Sequence, residues 1–234
     1  MMKEASEPGL SNLETTAILD FRHVAVSQLA ESLIRPGQTN RNLLQEAYRQ
    51  IVQNVRPVYS VDEWQATSVT LENGEGSCSQ RMALLEAVAR AAGIATRVRA
   101  IYVKGDFWYP RFRLTRWLMP HKILLLWPQF FLEGTWVDFD EICASIGQLA
   151  AAAPPGFTND GESLFEAVQS KPVDLLGKTC GLACARPEYD LSRFVLQDAG
   201  FFDTRDEAFK RLGSFQSTLR GRLFEVVFGG RKSC

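Results

Sequence analysis

The sequence predicts an α+β fold in which helices pack on one side of a small antiparallel sheet, and three observations lead there. Two amphipathic helical runs fill the first quarter of the chain. A third helical run starts at Cys78, closes at Gly93 and feeds straight into an alternating, strand-like stretch. Further strand-like segments then follow each other through short turns, as antiparallel neighbours do.

From Asn12 to Ile34, the residues Leu13, Ala17, Phe21, Val24, Leu29 and Leu33 recur at mostly three- and four-residue steps. "RPG" at 35–37 stops the run, so the spacing predicts one helix over 12–34 with His23 inside it. Thr39 or Asn40 caps the next helix, which carries Leu43, Leu44, Ala47, Ile51 and Val55 on one face and ends before Pro57. Residues 58–77 are mixed, with Trp64 and an apolar-polar "SVTL", and lead into the turn "GEGS". "CSQRMALLEAVARAAG" then places Met82, Leu85, Val88, Ala89 and Ala92 on one helical face, with Gly93 suited to a left-handed end.

"IATRVRAIYV" (94–103) alternates, with Arg97 and Arg99 opposite Val98 and Ala100, and reads as a strand. "KGDFWYPRFRLTRWLMP" has no clean period and reads as a lid-like excursion. "HKILLLW" and "FFLEGTWVDFD" read as strands with turns at Pro128 and at Glu133-Gly134. Further on, "ASIGQLAAAAPPGF" suggests a short helix ended by Pro154-Pro155, followed by a loop at "NDGES". A helix is expected near Asp190 to Asp198, and Phe209, Leu212, Phe215, Leu219 and Phe224 suggest a helical tail. The expected organisation is an N-terminal helix (1–36), a core (37–145) and a helical C-terminal extension packed on that core (146–234).

Charge removes some function classes. Lys plus Arg number 26 against 27 Asp plus Glu, so a net charge of -1 creates no global field toward nucleic acid or an anionic membrane. The opening "MMKEASEPGLSNLE" lacks a signal-like apolar core and no stretch approaches membrane-span length, so a cytoplasmic protein is expected. Five cysteines, an odd count, argue for free thiols rather than a disulfide framework. Only two histidines, His23 and His121, are available to any chemistry that needs imidazole.

Cys78 is the residue that carries chemistry. A thiol attacks as thiolate, and a helix N-terminus favours that anion through its unpaired N–H groups and the positive end of its dipole. Gly74, Gly76, Ser77 and Ser79 leave room for a substrate carbonyl, and the Cys78 N–H is aimed at a developing oxyanion. His121 opens a strand after Pro120, a rigid setting for a base. Asp138 and Asp140 share a strand face with Trp136, and either would orient the imidazole.

These residues together carry a resemblance. "GEGSCSQRMALLEAVARAAGIATRVRAIYV" with "HKILLLWPQFFLEGTWVDFD" resembles the transglutaminase-like superfamily of papain-like thiol enzymes over roughly residues 40 to 141. The matching positions are Gly76-Ser77-Cys78, Gly93-Ile94, Arg97, His121, and Trp136 with Asp140. The resemblance implies a papain-like core and a Cys78-His121-Asp140 triad, and by its spacing it favours Asp140 over Asp138. It also implies acyl transfer on an amide or thioester, of a small molecule, peptide or carrier-bound acyl group, with water or an amine as acceptor. Trp64 is the candidate indole donor to the oxyanion. No cofactor and no metal is expected, and neither nucleic acid nor membrane is an expected partner.

The bland readings stand beside these. Cys180 and Cys184 have a spacing allowed for zinc but no second ligand pair, and read as plain thiols. Arg111, Arg113 and Arg116 either hold an acidic substrate or form a solvated loop face, while Trp108, Tyr109, Phe112 and Trp117 wall a pocket or anchor the loop. The alternative function is a non-catalytic transglutaminase-like binding or scaffold module.

Overall fold

A computed structural model describes residues 7–143, 155–171, 173–176 and 189–233. Helix α1 spans Val24–Leu33 and α2 spans Asn40–Asn54. α2 starts where its capping residue dictates, with the Asn42 N–H donating to the Thr39 hydroxyl at 3.2 Å. α1 begins well after Asn12, and His23 is its N-cap, not a residue inside it; the Ala25 N–H donates to its Nδ1 at 3.4 Å. Longer-range partners stop the helix from running back further. The Asp20 carboxylate accepts from the Thr67 hydroxyl at 2.8 Å and the Ser68 N–H at 3.0 Å, capping α3 (Thr67–Asn73) from a distance. Burial raises the Asp20 pKa, but those bonds prevail and hold its carboxyl below the usual range.

α3 falls on the stretch that looked mixed in sequence, and it ends at Gly74 with φ 62°. The two-residue strands β1 (Arg56–Pro57) and β2 (Glu75–Gly76) pair in parallel and deliver the chain to α4 (Cys78–Ala91). A capping box starts α4: Gln80 N–H donates to the Ser77 hydroxyl and Ser77 N–H to the Gln80 side-chain oxygen. Gly93, with φ 77°, turns the chain out of it. Met82, Leu84, Leu85 and Val88 have no exposed area, and each contributes roughly 1.5–3 kcal/mol by burial. The helix is buried all round, Arg81, Glu86 and Arg90 included.

The sheet contains β3 (Thr96–Lys104), β4 (Lys122–Leu132), β5 (Thr135–Asp138) and β6 (Val195–Phe202), antiparallel in the order β5-β4-β3-β6. Two expectations need correcting. Pro128 does not turn the chain, because β4 runs through it, paired with Val98 of β3. On its other side β5 pairs only from Gln129 onward, so the missing proline N–H removes no ladder bond there. The turn is at Glu133-Gly134, where φ values of 54° and 81° suit a two-residue hairpin. The second correction is at 190–198, where a 3-10 turn (Ser192–Phe194) and the first half of β6 stand in place of the expected helix. On β6, Phe201 and Asp198 receive the β3 arginines: Arg97 lies 4.1 Å over the Phe201 ring, and Arg99 binds Asp198 at 2.6 Å.

Between β3 and β4 the excursion forms 3-10 turns at Gly105–Trp108 and Arg116–Leu118. Its neck is closed by the Gly105 N–H donating to the His121 carbonyl at 2.9 Å. A Cβ on residue 105 would lie 1.8 Å from the Pro120 oxygen, so only glycine permits that approach. After β5 come α5 (Phe139–Cys143), α6 (Leu164–Ser170), α7 (Arg205–Leu212) and α8 (Leu219–Phe228), the helical tail being broken at Gly213. The short helix expected before Pro154-Pro155, and Cys180 and Cys184, lie outside the described residues. No described helix is long and apolar enough to cross a membrane.

The main core joins α1, α2, α4 and α5–α7 to the sheet. A smaller cluster forms beside it from Val61, Phe112, Leu118, Met119 and Phe224. Arg205 of α7 reaches under α4, its Nε donating to Glu86 at 2.7 Å with both side chains about 1% exposed. Removing one member leaves the other buried and uncompensated. Arg205→Met is expected to cost about 3–5 kcal/mol in urea unfolding, and Glu86→Leu combined with Arg205→Met to recover much of that. Additive losses in the double variant would contradict this coupling.

Candidate functional site

A cavity of about 160 Å³ opens beside the N-terminus of α4, between the main core and the smaller aromatic cluster. Cys78 lines it, flanked by Ser77 and Ser79. The capping box places Cys78 as the first residue of α4, so the helix dipole points its positive end toward the sulfur. The thiol has some accessible area, but it faces this cavity, with protein on the other sides. Burial pushes the Cys78 thiol up to about 12, against the opposing pull of the Arg81 and Arg111 cations and a hydrogen bond from the Phe165 N–H; the Glu166 carboxylate adds to the rise.

β4 contributes Ile123, Leu124 and Leu125 to the lining, none of them titratable. His121 does not line the cavity. Its side chain is exposed, just before β4 begins, while its carbonyl closes the neck of the excursion. Along an extended strand it lies about 13 Å from Leu125, four residues on. The structure thus brings Cys78 to the cavity and leaves His121 outside it.

Asp140 sits in the first turn of α5, just beyond β5, and accepts from the Trp127 indole N–H at 3.1 Å. Burial pushes its carboxyl up to about 7, the nearby Asp138 charge adds to the rise, and the indole bond opposes it. Asp138 ends β5 and accepts from the Gln129 amide at 2.7 Å, which in turn accepts from Arg97 Nε at 2.7 Å. Each acid is therefore engaged by a side chain of β4. Two residues before Trp127, and so on the same strand face, stands Leu125.

Trp64 is not among the cavity residues; it packs against Phe209, with ring centroids 5.9 Å apart. The sequence reading missed Glu63, which lines the cavity and accepts from the Ser79 hydroxyl at 2.6 Å. Arg205 Nη1 donates to the same hydroxyl at 3.1 Å. Burial raises the Glu63 pKa, with Ser79 and Arg205 acting against it. No local pattern marks Glu63 or Arg205, because they meet only when α7 folds back under α4. Among the described residues no cluster of His, Cys, Asp and Glu has the make-up to hold a metal ion.

No curated protein and no solved structure matches this chain. A family model does, over residues 27–141, a region that runs from α1 to the first turn of α5 and includes Cys78, His121 and Asp140. With the buried helix headed by Cys78, the antiparallel strands that follow it and the acid beyond β5 all inside that match, residues 27–141 form a transglutaminase-like superfamily domain.

Proposed function

We propose that this chain is a binding member of the transglutaminase-like superfamily, which holds a small, largely apolar ligand in the cavity beside Cys78. The observation that carries this reading is the identity of the β4 side chains in that cavity: Ile123, Leu124 and Leu125, with His121 exposed beyond them. Acyl transfer through cysteine needs an imidazole to take the thiol proton and return it to the leaving group. Isoleucine and leucine do neither. The high pKa of Cys78 supports the same reading, since a thiol pushed up to about 12 is almost wholly protonated at neutral pH.

A second reading has its own support. Cys78 heads a capped helix and opens to a cavity, which is the placement a nucleophile requires. On that reading Cys78 takes the acyl group from an amide or thioester, His121 moves the proton, Asp140 orients it, and water or an amine accepts the acyl group.

Labelling by iodoacetamide separates the two. Cys78 is expected to label slowly below pH 8 and at an unchanged rate in His121→Ala; fast labelling below pH 7 that His121→Ala abolishes would restore acyl transfer. Leu125→His, which places an imidazole on the face of Trp127, is expected to speed Cys78 labelling at pH 7 by about tenfold or more. No acceleration in a folded variant would mean that Leu125 does not face the thiol.

Asp140 gives a pH test. Its folded pKa lies above the ordinary 3.8, so the folded state holds a proton that the unfolded state releases. Its contribution to stability is complete below about pH 4 and is lost as pH rises toward 7. Asp140→Asn is expected to flatten that fall in urea unfolding and to cost nothing extra at pH 7. An ion pair between Asp140 and protonated His121 would give the opposite sign, with the larger loss near neutral pH.

A further inference from the structure

Three arginines of the excursion were candidates for an acidic ligand, and they end in different places. Arg113 is exposed and pairs with Asp160 at 2.9 Å. Arg116 is exposed and sits 5.4 Å over the Tyr109 ring. Arg111 turns inward and lines the Cys78 cavity.

The Arg111 guanidinium is held from two sides. Its Nε donates to the Asn159 side-chain oxygen at 2.6 Å and its Nη1 to the Ser233 carbonyl at 2.7 Å. Asn159 is itself fixed by donating to the Phe107 carbonyl at 2.6 Å. Both acceptors are neutral, so the cation has no carboxylate partner among the described residues. Nη2 is buried and meets no acceptor among them. A buried guanidinium N–H without an acceptor is costly, and the neutral acceptors leave its charge uncompensated.

Most of the rest of the wall is aromatic or aliphatic, with serines, Asn159 and Glu63 between. Phe107, Trp108, Phe112, Phe209, Phe215 and Phe224 contribute aromatic faces. The volume of about 160 Å³ is close to that of a cavity of about 150 Å³ that admits a benzene ring. Among the described residues Glu63 is the one carboxyl group in the lining, and it is engaged with Ser79.

We propose that the cavity is a binding site for a small monocarboxylate with an aromatic or branched apolar body, its carboxylate paired with the Arg111 guanidinium and its body against the aromatic wall. This rests on the binding reading above and names the ligand class for it. A planar carboxylate matches the guanidinium edge and supplies the missing acceptor and the missing charge together. A dianion such as phosphate would bring a second charge into a wall with one free cationic edge among the described residues, and is disfavoured by the same desolvation. Cys78 then serves as a small, polarizable contact for the ligand.

The test is calorimetric titration of the full chain with phenylacetate and with its neutral isostere 2-phenylacetamide. Phenylacetate is expected to bind about ten- to a hundredfold more tightly. Arg111→Met, which keeps the apolar stem, is expected to erase that preference while leaving the amide bound. Equal affinities in the wild-type chain overturn the carboxylate assignment and leave the binding reading in place. Absence of binding by either compound at millimolar concentration overturns the assignment as well. The wild-type comparison decides the matter even if Arg111→Met fails to fold. Cys78-dependent hydrolysis of p-nitrophenyl phenylacetate, abolished by Cys78→Ala, would overturn the binding reading separately, and the two affinities would still judge the carboxylate preference.

Discussion

The structure depends on how the charges buried in α4 are satisfied. A helix enclosed on all sides would ordinarily be apolar throughout, yet α4 carries Arg81, Glu86 and Arg90 inside. Each charge loses its hydration and must find partners, and each finds them on a different part of the chain. Arg81 donates to Glu166 of α6 at 2.7 Å and lies 4.6 Å over the Phe165 ring. Glu86 receives Arg205 of α7. Arg90 donates to the carbonyls of Ser11, Glu14, Thr96 and Asp203, gathering the N-terminal segment, β3 and the residue after β6 around the helix end. These obligations dock distant segments on one helix, and so determine what surrounds Cys78 at its start.

The same burial sets the chemistry of the thiol. A helix N-terminus contributes about 0.3–1 kcal/mol toward an anion, or about 2 kcal/mol in a favourable partly buried geometry. The rise of the Cys78 pKa from 9.0 to about 12 is three units, or on the order of 4 kcal/mol against the thiolate. Burial wins. An ionised imidazole in contact would reverse that balance, but the β4 residues at the cavity are aliphatic. Asp140 shows the same effect from the other side: with an indole rather than a cation as partner, its carboxyl drifts up toward neutral.

Much of the local structure was legible because it rests on local chemistry. α2 begins at its threonine cap, α4 begins at a Ser77–Gln80 capping box and is left through Gly93, and the Glu133-Gly134 turn takes the positive φ values that its hairpin needs. The expectations that failed were those decided by a distant partner. Asp20 leaves α1 to cap α3, Pro128 stays in β4 because β5 stops one residue short of it, and 195–198 becomes part of a strand against β3. Periodicity records which residues share a face if an element forms. It carries no information about a partner nearly 100 residues away.

The sequence by itself determined the α+β class, the family to which residues 27–141 belong, and Cys78 at the head of a capped, buried helix. The class and the helix follow from period and capping, and the family from the spacing of motifs between Gly76 and Asp140. Tertiary structure alone decided what faces that cysteine. His121 is held at the neck of the excursion by the Gly105 contact, Leu125 is carried into the cavity by the register of β4, and Glu63, Arg111 and the phenylalanines of the C-terminal segment arrive from three other regions. Whether a side chain meets the thiol depends on strand register and loop closure, because a shift of one residue along a strand reverses the face it presents.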